Sequence, residues 1–125
     1  MEKNSNVIVE KSRAFAINIV HLYQQLVQEK KEYVLSKQML KSGTSIGANI
    51  HEAIRGQSHA DFIAKMSISL KEASETEYWI SLMMDTGYIS TEKAQPLLKD
   101  VEELTKILVS IVKSAEKRKG VKYET

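Results

Sequence analysis

The chain has 125 residues, no cysteine, and a formal net charge of +2 from 18 Lys and Arg against 16 Asp and Glu. A chain of this length is enough for one domain with one hydrophobic core. Without cysteine there can be no disulfide, thiolate metal site or cysteine nucleophile. The single Pro and five Gly leave long stretches free of helix breakers, so we expect residues 1–125 to form one helical domain.

The first half of the chain predicts two helices. The first, at about residues 7–29, has apolar residues at every third or fourth position. A charged run at residues 29–32 interrupts this pattern and predicts a turn. The second helix is expected at about residues 32–55, with Gly56 just beyond its end. The apolar stripe of the first helix consists of Phe15, Ile19, Leu22 and Leu26.

The second half predicts two more helices. Ser58 followed by Asp61 is a variant of the capping box that starts a third helix at about residues 58–87, and Gly87 suits its end. A fourth helix is expected at about residues 91–118. Short turns between four helices, with no strand-like alternation, predict an all-α, antiparallel up-down-up-down four-helix bundle. The core seam of the fourth helix consists of Leu97, Val101, Leu104, Leu108 and Ile111.

Two segments are more apolar than a lone bundle requires. Residues 14–23 and 78–84 are almost free of polar side chains, whereas a bundle buries only one face of each helix. Apolar surface left exposed favours a protein–protein contact, here a homo-oligomer. The alternative is that Tyr and Met side chains cover part of their own helix. The predicted oligomer interface consists of Phe15, Ile19, Tyr23, Tyr78, Trp79, Leu82 and Met83.

Two motifs resemble enzyme signatures but lack their context. Residues 43–47 match the G-x-S-x-G nucleophile elbow, yet no predicted strand precedes them, so small residues for close helix contact are the better interpretation. His51 and Glu52 begin like a zinc-protease motif, but the second His is replaced by Arg55. We therefore predict no catalytic residue, no metal, no cofactor and no enzymatic activity.

A polar stripe follows the second helix and faces matching groups on the third. Small hydroxyl and amide groups bond well across a tight helix contact, so the stripe predicts a polar inter-helix network, with plain solvent exposure as the alternative. The network residues are Gln38, Ser42, Ser45, Asn49 and Glu52 on the second helix with Ser69, Glu72 and Glu75 on the third.

Basic residues crowd the C-terminal end of the chain, at Lys113, Lys117, Arg118, Lys119 and Lys122. The simple explanation of the C-terminal group is that cations complement a helix dipole. The alternative is contact with nucleic-acid phosphates. The candidate nucleic-acid contacts are Lys37, Lys41, Arg55, Lys117, Arg118 and Lys119.

No signal sequence or membrane span is expected. The apolar residues 7–9 run directly into charged residues, and no apolar run approaches the ~20 residues needed to cross a bilayer. We therefore expect a cytoplasmic protein with no membrane contact.

Three motifs, in order, carry a resemblance that spans about residues 8–115. They are Gln38–Ile50 with Glu52-Ala53, then Asp61-Phe62-Ile63, then Lys71-Glu72-Ala73 with Glu75-Thr76 and Tyr78-Trp79. Together they resemble the bacterial "four helix bundle protein" family, the intervening-sequence proteins of large-subunit ribosomal RNA genes. The chain departs from the usual family pattern at Ala53 and at Ile68, where Gly is common.

The resemblance implies an antiparallel four-helix bundle that assembles into a ring, typically a pentamer, with no catalytic activity. It also implies kinship with the accessory protein of diversity-generating retroelements, which binds nucleic acid and a reverse transcriptase. The resulting hypothesis is a homo-oligomeric bundle that contacts RNA or DNA through basic residues. The alternative is an oligomeric scaffold for protein partners that does not bind nucleic acid.

Overall fold

The computed structural model describes the backbone of residues 3–124 and the side chains of residues 6–118. It contains four α-helices: α1 (Lys3–Lys30), α2 (Leu35–Ile54), α3 (His59–Asp85) and α4 (Thr91–Glu124). Each helix packs against the next in sequence, and α4 packs back against α1. No strand occurs in the described range. The predicted all-α four-helix bundle is therefore confirmed.

The core lies where the apolar periodicity placed it. All four stripe residues of α1 and all five seam residues of α4 are buried. The helices α2 and α3 add Met39, Ile46, Met66 and Ile80, each fully buried. Because one face of every helix contributes, a single core runs along the axis of the bundle.

The two outer helices are longer than the sequence pattern predicted. The helix α1 begins at Lys3 rather than near residue 7, and α4 continues to Glu124 rather than ending near residue 118. Most of the added residues are polar, so hydrophobic periodicity gave little signal for them. The helices can nevertheless continue, because neither segment contains a proline.

The helix α2 starts three residues later than predicted because Glu32 caps it. Lys31 has a φ of 56°, which turns the chain out of α1. The Glu32 carboxylate then accepts hydrogen bonds from the backbone N–H groups of Val34, Leu35 and Ser36, at 3.1, 3.1 and 2.7 Å. These N–H groups have no partner within the helix itself. Glu32 is thus a buried acidic cap rather than a solvated turn residue.

The start and end of α3 follow the predicted signals. The Ser58 side chain accepts the N–H of Asp61 at 3.0 Å, which is one half of the capping box. At the other end, Gly87 has a φ of 85°, a conformation that glycine adopts without strain. Gly56 follows α2 as expected but has no positive φ; its missing Cβ leaves room for the Asp61 carboxylate.

Candidate nucleic-acid interface and self-association surfaces

The two glycines of the G-x-S-x-G motif bring α1 and α2 together. A Cβ on Gly43 would lie 2.9 Å from the Ile19 Cγ2, and one on Gly47 would lie 3.4 Å from the Ser12 Oγ. The hydroxyl of Ser45, between them, donates to the carbonyl of Lys41 in mid-helix at 2.6 Å. The motif therefore serves close helix packing and lacks the strained turn of a nucleophile elbow.

Polar groups link α2 to α3 at three levels. The hydroxyl of Thr76 lies 2.9 Å from that of Ser42, and both are buried. Ser69 donates to the carbonyl of Ile46 at 2.8 Å. Nearer the α2–α3 turn, the Lys65 ammonium lies 3.2 Å from the Glu52 carboxylate. Buried hydroxyls with satisfied hydrogen bonds help to fix the relative register of the two helices.

The polar stripe is narrower than predicted, because several of its members bond locally. Ser45 and Asn49 both bond to backbone carbonyls of α2, and Gln38 is exposed. The carboxylates of Glu72 and Glu75 are half-buried and make no hydrogen bond within the described residues. Short side chains on one helix can reach the preceding turn of that helix, which competes with the contact across helices. These five residues therefore do not join α2 to α3.

Three of the predicted interface residues belong instead to the core of a single chain. Phe15, Ile19 and Met83 are at most 2% exposed. Their assignment to an oligomer interface is therefore corrected, because a side chain with no accessible surface cannot contact another copy. They lie on the core-facing stripe of their helices, so the periodicity that identified the core also identified them.

The other predicted interface residues keep accessible surface. Tyr78 is 58% exposed, and Tyr23, Trp79 and Leu82 are half-buried. Tyr78 and Trp79 meet edge to face, with ring centroids 5.1 Å apart. The indole N–H of Trp79 is buried without an acceptor in the described part of the chain.

The predicted list of interface residues omitted Ile17, Val20 and Ile68, three exposed branched apolar residues. Ile17 is 46% exposed, Ile68 42% and Val20 36%. Each lies on the side of its helix that faces away from the core stripe, so a count of offsets from Phe15 or Met66 could have found them. Exposed branched apolar residues on two helices are the surface feature that bears most directly on self-association.

The predicted nucleic-acid contacts fall into two groups at opposite ends of the bundle. Lys37 and Lys41 are exposed near the α1–α2 turn, and Arg55 follows α2 about 27 Å away at 1.5 Å per residue. Lys117 and Arg118 are exposed at the Arg55 end. The side chain of Lys119 lies outside the described residues. The six positions therefore do not form one continuous surface.

The α1–α2 turn combines cations with an exposed aromatic ring. Lys30, Lys31, Lys37 and Lys41 are all exposed, and Tyr33 is 56% exposed between them. No carboxylate of the described residues pairs with any of these lysines, and the neighbouring Glu32 carboxylate is turned inward onto the N-terminus of α2. We call these four lysines and Tyr33 the basic turn surface.

A groove of about 680 Å³ lies between α1 and α2 on the outer side of the bundle. Its lining includes the small residues Ala16, Gly47 and Ala48 and the cations Arg13 and Arg55. None of its lining residues is acidic. We call this feature the α1–α2 groove, and the two arginines that line it make it positively charged.

The described residues contain no group of three His, Asp or Glu side chains that could hold a metal ion. None of the described helices is sufficiently long and apolar to cross a membrane. Nothing in this geometry points to catalysis. The polar groups that come together are used for helix capping and helix packing.

The fold is an antiparallel four-helix bundle. Its exposed lysines, aromatic rings and branched apolar side chains lie on the outer surface. The family model for the 23S rRNA-intervening sequence protein matches residues 4–110. The chain therefore belongs to the family of 23S rRNA-intervening sequence proteins. No curated protein is significantly similar to it.

A solved structure is also similar. It is a protein of unknown function from the S23 ribosomal protein family of Bacteroides thetaiotaomicron, determined at 1.70 Å resolution. It shares 55% sequence identity with the chain and superposes with a TM-score of 0.86. The match covers 88% of this chain and 98% of the other. This likeness agrees with the bundle described above.

Proposed function

We propose that the protein is a homo-oligomeric, non-enzymatic binding protein that contacts the phosphate backbone of nucleic acid through the basic turn surface. The observation that supports this most is the exposed ring of Tyr33 among four lysines without carboxylate partners in the described residues. Lysines neutralise phosphates, and an exposed aromatic ring can stack on an unpaired base. Single-stranded RNA is therefore the best candidate ligand.

Self-association would strengthen such contacts. One chain carries a net charge of only +2 and offers a small cationic surface. Copies arranged in a ring, such as the pentamer that the family resemblance implies, would present several such surfaces to one strand. Linked sites bind far more tightly than each site alone when the strand can reach them together. The exposed Ile17, Val20, Ile68 and Tyr78 support the assembly part of the proposal.

A scaffold that binds protein partners without nucleic acid is the alternative. The α1–α2 groove favours it, because an apolar lining of small residues suits a helix better than a nucleotide. The two functions differ in their response to salt. Binding through phosphate contacts predicts that log affinity falls steeply and linearly with log salt, whereas binding in an apolar groove does not.

The test is binding of a fluorescein-labelled single-stranded RNA, followed by anisotropy at several salt concentrations. We expect the slope of log affinity against log salt to fall by about 0.7 for each phosphate contact removed in the double variant Lys37→Ala/Lys41→Ala. Tyr33→Ala should weaken binding by about 1–3 kcal/mol per stacked base and leave the slope unchanged.

The matched control removes two exposed lysines from α4, in the variant Lys99→Ala/Lys113→Ala. It changes the net charge by the same amount but leaves the basic turn surface intact. The proposal predicts a smaller loss of affinity for this control. Equal losses in the two double variants would contradict the assigned surface, and no RNA binding even at low salt would contradict the nucleic-acid function.

A further inference from the structure

The helix α3 carries apolar side chains on each of two opposite sides. One faces the core through residues such as Met66 and Ile80. The other follows offsets of 4, 7, 11, 14 and 18 along the outside, which places its members in one line on a helix. Ile68 is 42% exposed and Tyr78 is 58% exposed on this line. This α3 outer face consists of Ala64, Ile68, Lys71, Glu75, Tyr78 and Leu82.

The surroundings of the α3 outer face are acidic. The helix carries five carboxylates against two lysines. One of the lysines, Lys65, already pairs with Glu52 at 3.2 Å, and the other, Lys71, is exposed on the outer face itself. Glu72 and Glu75 lie on or beside the outer face and have no cationic partner within the described residues. The α3 outer face thus carries exposed apolar side chains with acidic groups around them, on the side of α3 that faces away from the core.

The α1–α2 groove has the complementary properties. Arg13 and Arg55 line it, no carboxylate does, and its small lining residues would let another helix approach closely. A second, shallower depression of about 290 Å³ continues it along α1 past the exposed Ile17 and Val20. The apolar and basic surface of the groove is therefore complementary to the apolar and acidic surface of α3.

We propose that the α3 outer face of one copy of this chain sits in the α1–α2 groove of the next copy, with Glu72 and Glu75 facing Arg13 and Arg55. This inference rests on the self-association in the proposed function, and it names the two surfaces that form the contact. A chain cannot fill its own groove, because its α3 outer face points away from the core. Two different surfaces meet, so the contact is head-to-tail and produces rings or filaments.

The charge pattern makes a reversal experiment decisive. Variant A is Arg13→Glu/Arg55→Glu, which makes the groove acidic, and variant B is Glu72→Arg/Glu75→Arg, which makes the α3 outer face basic. The mass of each is measured by light scattering. Each alone should have the mass of a monomer, since like charges would meet. The variant that carries all four substitutions should regain the assembled mass, because each acidic groove then meets a basic face whatever the number of subunits in the ring.

A contact between identical surfaces, or one elsewhere on the bundle, would not give this rescue. Variants A and B that both keep the wild-type mass would overturn the proposed contact while leaving self-association intact. A wild-type chain that is monomeric would overturn both. RNA anisotropy on the variant Ala48→Trp separates the nucleic-acid function, because this variant keeps the wild-type charge and the basic turn surface, and its contact with RNA at low salt should persist.

A second pair of variants tests the groove by shape rather than by charge. Ala48 is exposed in the single chain, so Ala48→Trp should fold and yet fill the groove. We expect it to lower the assembled mass to that of a monomer, with an unchanged far-UV circular dichroism spectrum. The control Ser114→Trp places the same ring on an exposed position of α4 and should keep the assembled mass. Assembly of Ala48→Trp at wild-type mass would contradict the proposed contact.

Discussion

Replacement of Phe15 by Ala should lower the free energy of unfolding by about 3–5 kcal/mol, the usual cost of removing a buried aromatic side chain. Phe15 is 2% exposed and packs in the core shared by the four helices. A domain of this kind is stable by only about 5–15 kcal/mol in total, so the loss should be visible as a large shift of the urea midpoint.

Its control is Ile17→Ala, two residues away on the opposite side of α1. Ile17 is 46% exposed, so its truncation should change the stability of the single chain by no more than about 0.5 kcal/mol. Unfolding should be followed at low protein concentration, because self-association would add apparent stability. If Ile17→Ala destabilised the single chain as much as Phe15→Ala, the division of α1 into a core face and an outer face would be wrong.

Replacement of Glu32 by Gln should lower the free energy of unfolding by about 1.5–3 kcal/mol at neutral pH, since hydrogen bonds to a charged group are worth about that much. Burial alone would raise the pKa of Glu32, but the backbone N–H groups of Ser36, Leu35 and Val34 outweigh it and hold the pKa below its usual value. The structure therefore favours the ionised carboxylate at the N-terminus of α2.

The sign of the pH dependence follows from this depressed pKa. The stabilisation is present in full above the pKa of glutamate in the unfolded chain and is lost as the pH falls through the lower, folded value. Urea unfolding at a series of pH values should show the difference between wild type and Glu32→Gln shrinking in that acidic range. The exposed Glu29→Gln, one turn earlier, serves as the control. A difference that stayed constant with pH would show that the Glu32 charge is not what stabilises the turn.

Periodicity predicted the fold because the spacing of apolar residues along a helix determines which of them face the core. Leu97, Val101 and Leu108 repeat at helical intervals, and a repeat of this kind can be buried along only one face of a helix. The interface prediction instead counted apolar residues within a segment without asking which face they share, so it included the core residue Phe15 and omitted Ile17. The direction of each side chain decides that, and it follows only once the core face is known.

Contacts between distant parts of the chain left little trace in the sequence. Glycine at position 43 predicted a close approach, but that Ile19 occupies the space follows from the pairing of α1 with α2. Glu32 looked like one charge in a solvated turn, because its role depends on the backbone conformation of Lys31. The α1–α2 groove combines residues that are remote in sequence. The α3 outer face consists of residues that lie outside the core pattern.

The most direct test of the account is the mass of the wild-type chain in solution, measured by light scattering from low to high micromolar concentration. Exposed Ile17, Val20, Ile68 and Tyr78 should bring copies together, so the mass should reach an integer multiple of 14.2 kDa. A mass of 14.2 kDa at every concentration would contradict self-association and remove the basis for a multivalent binding surface.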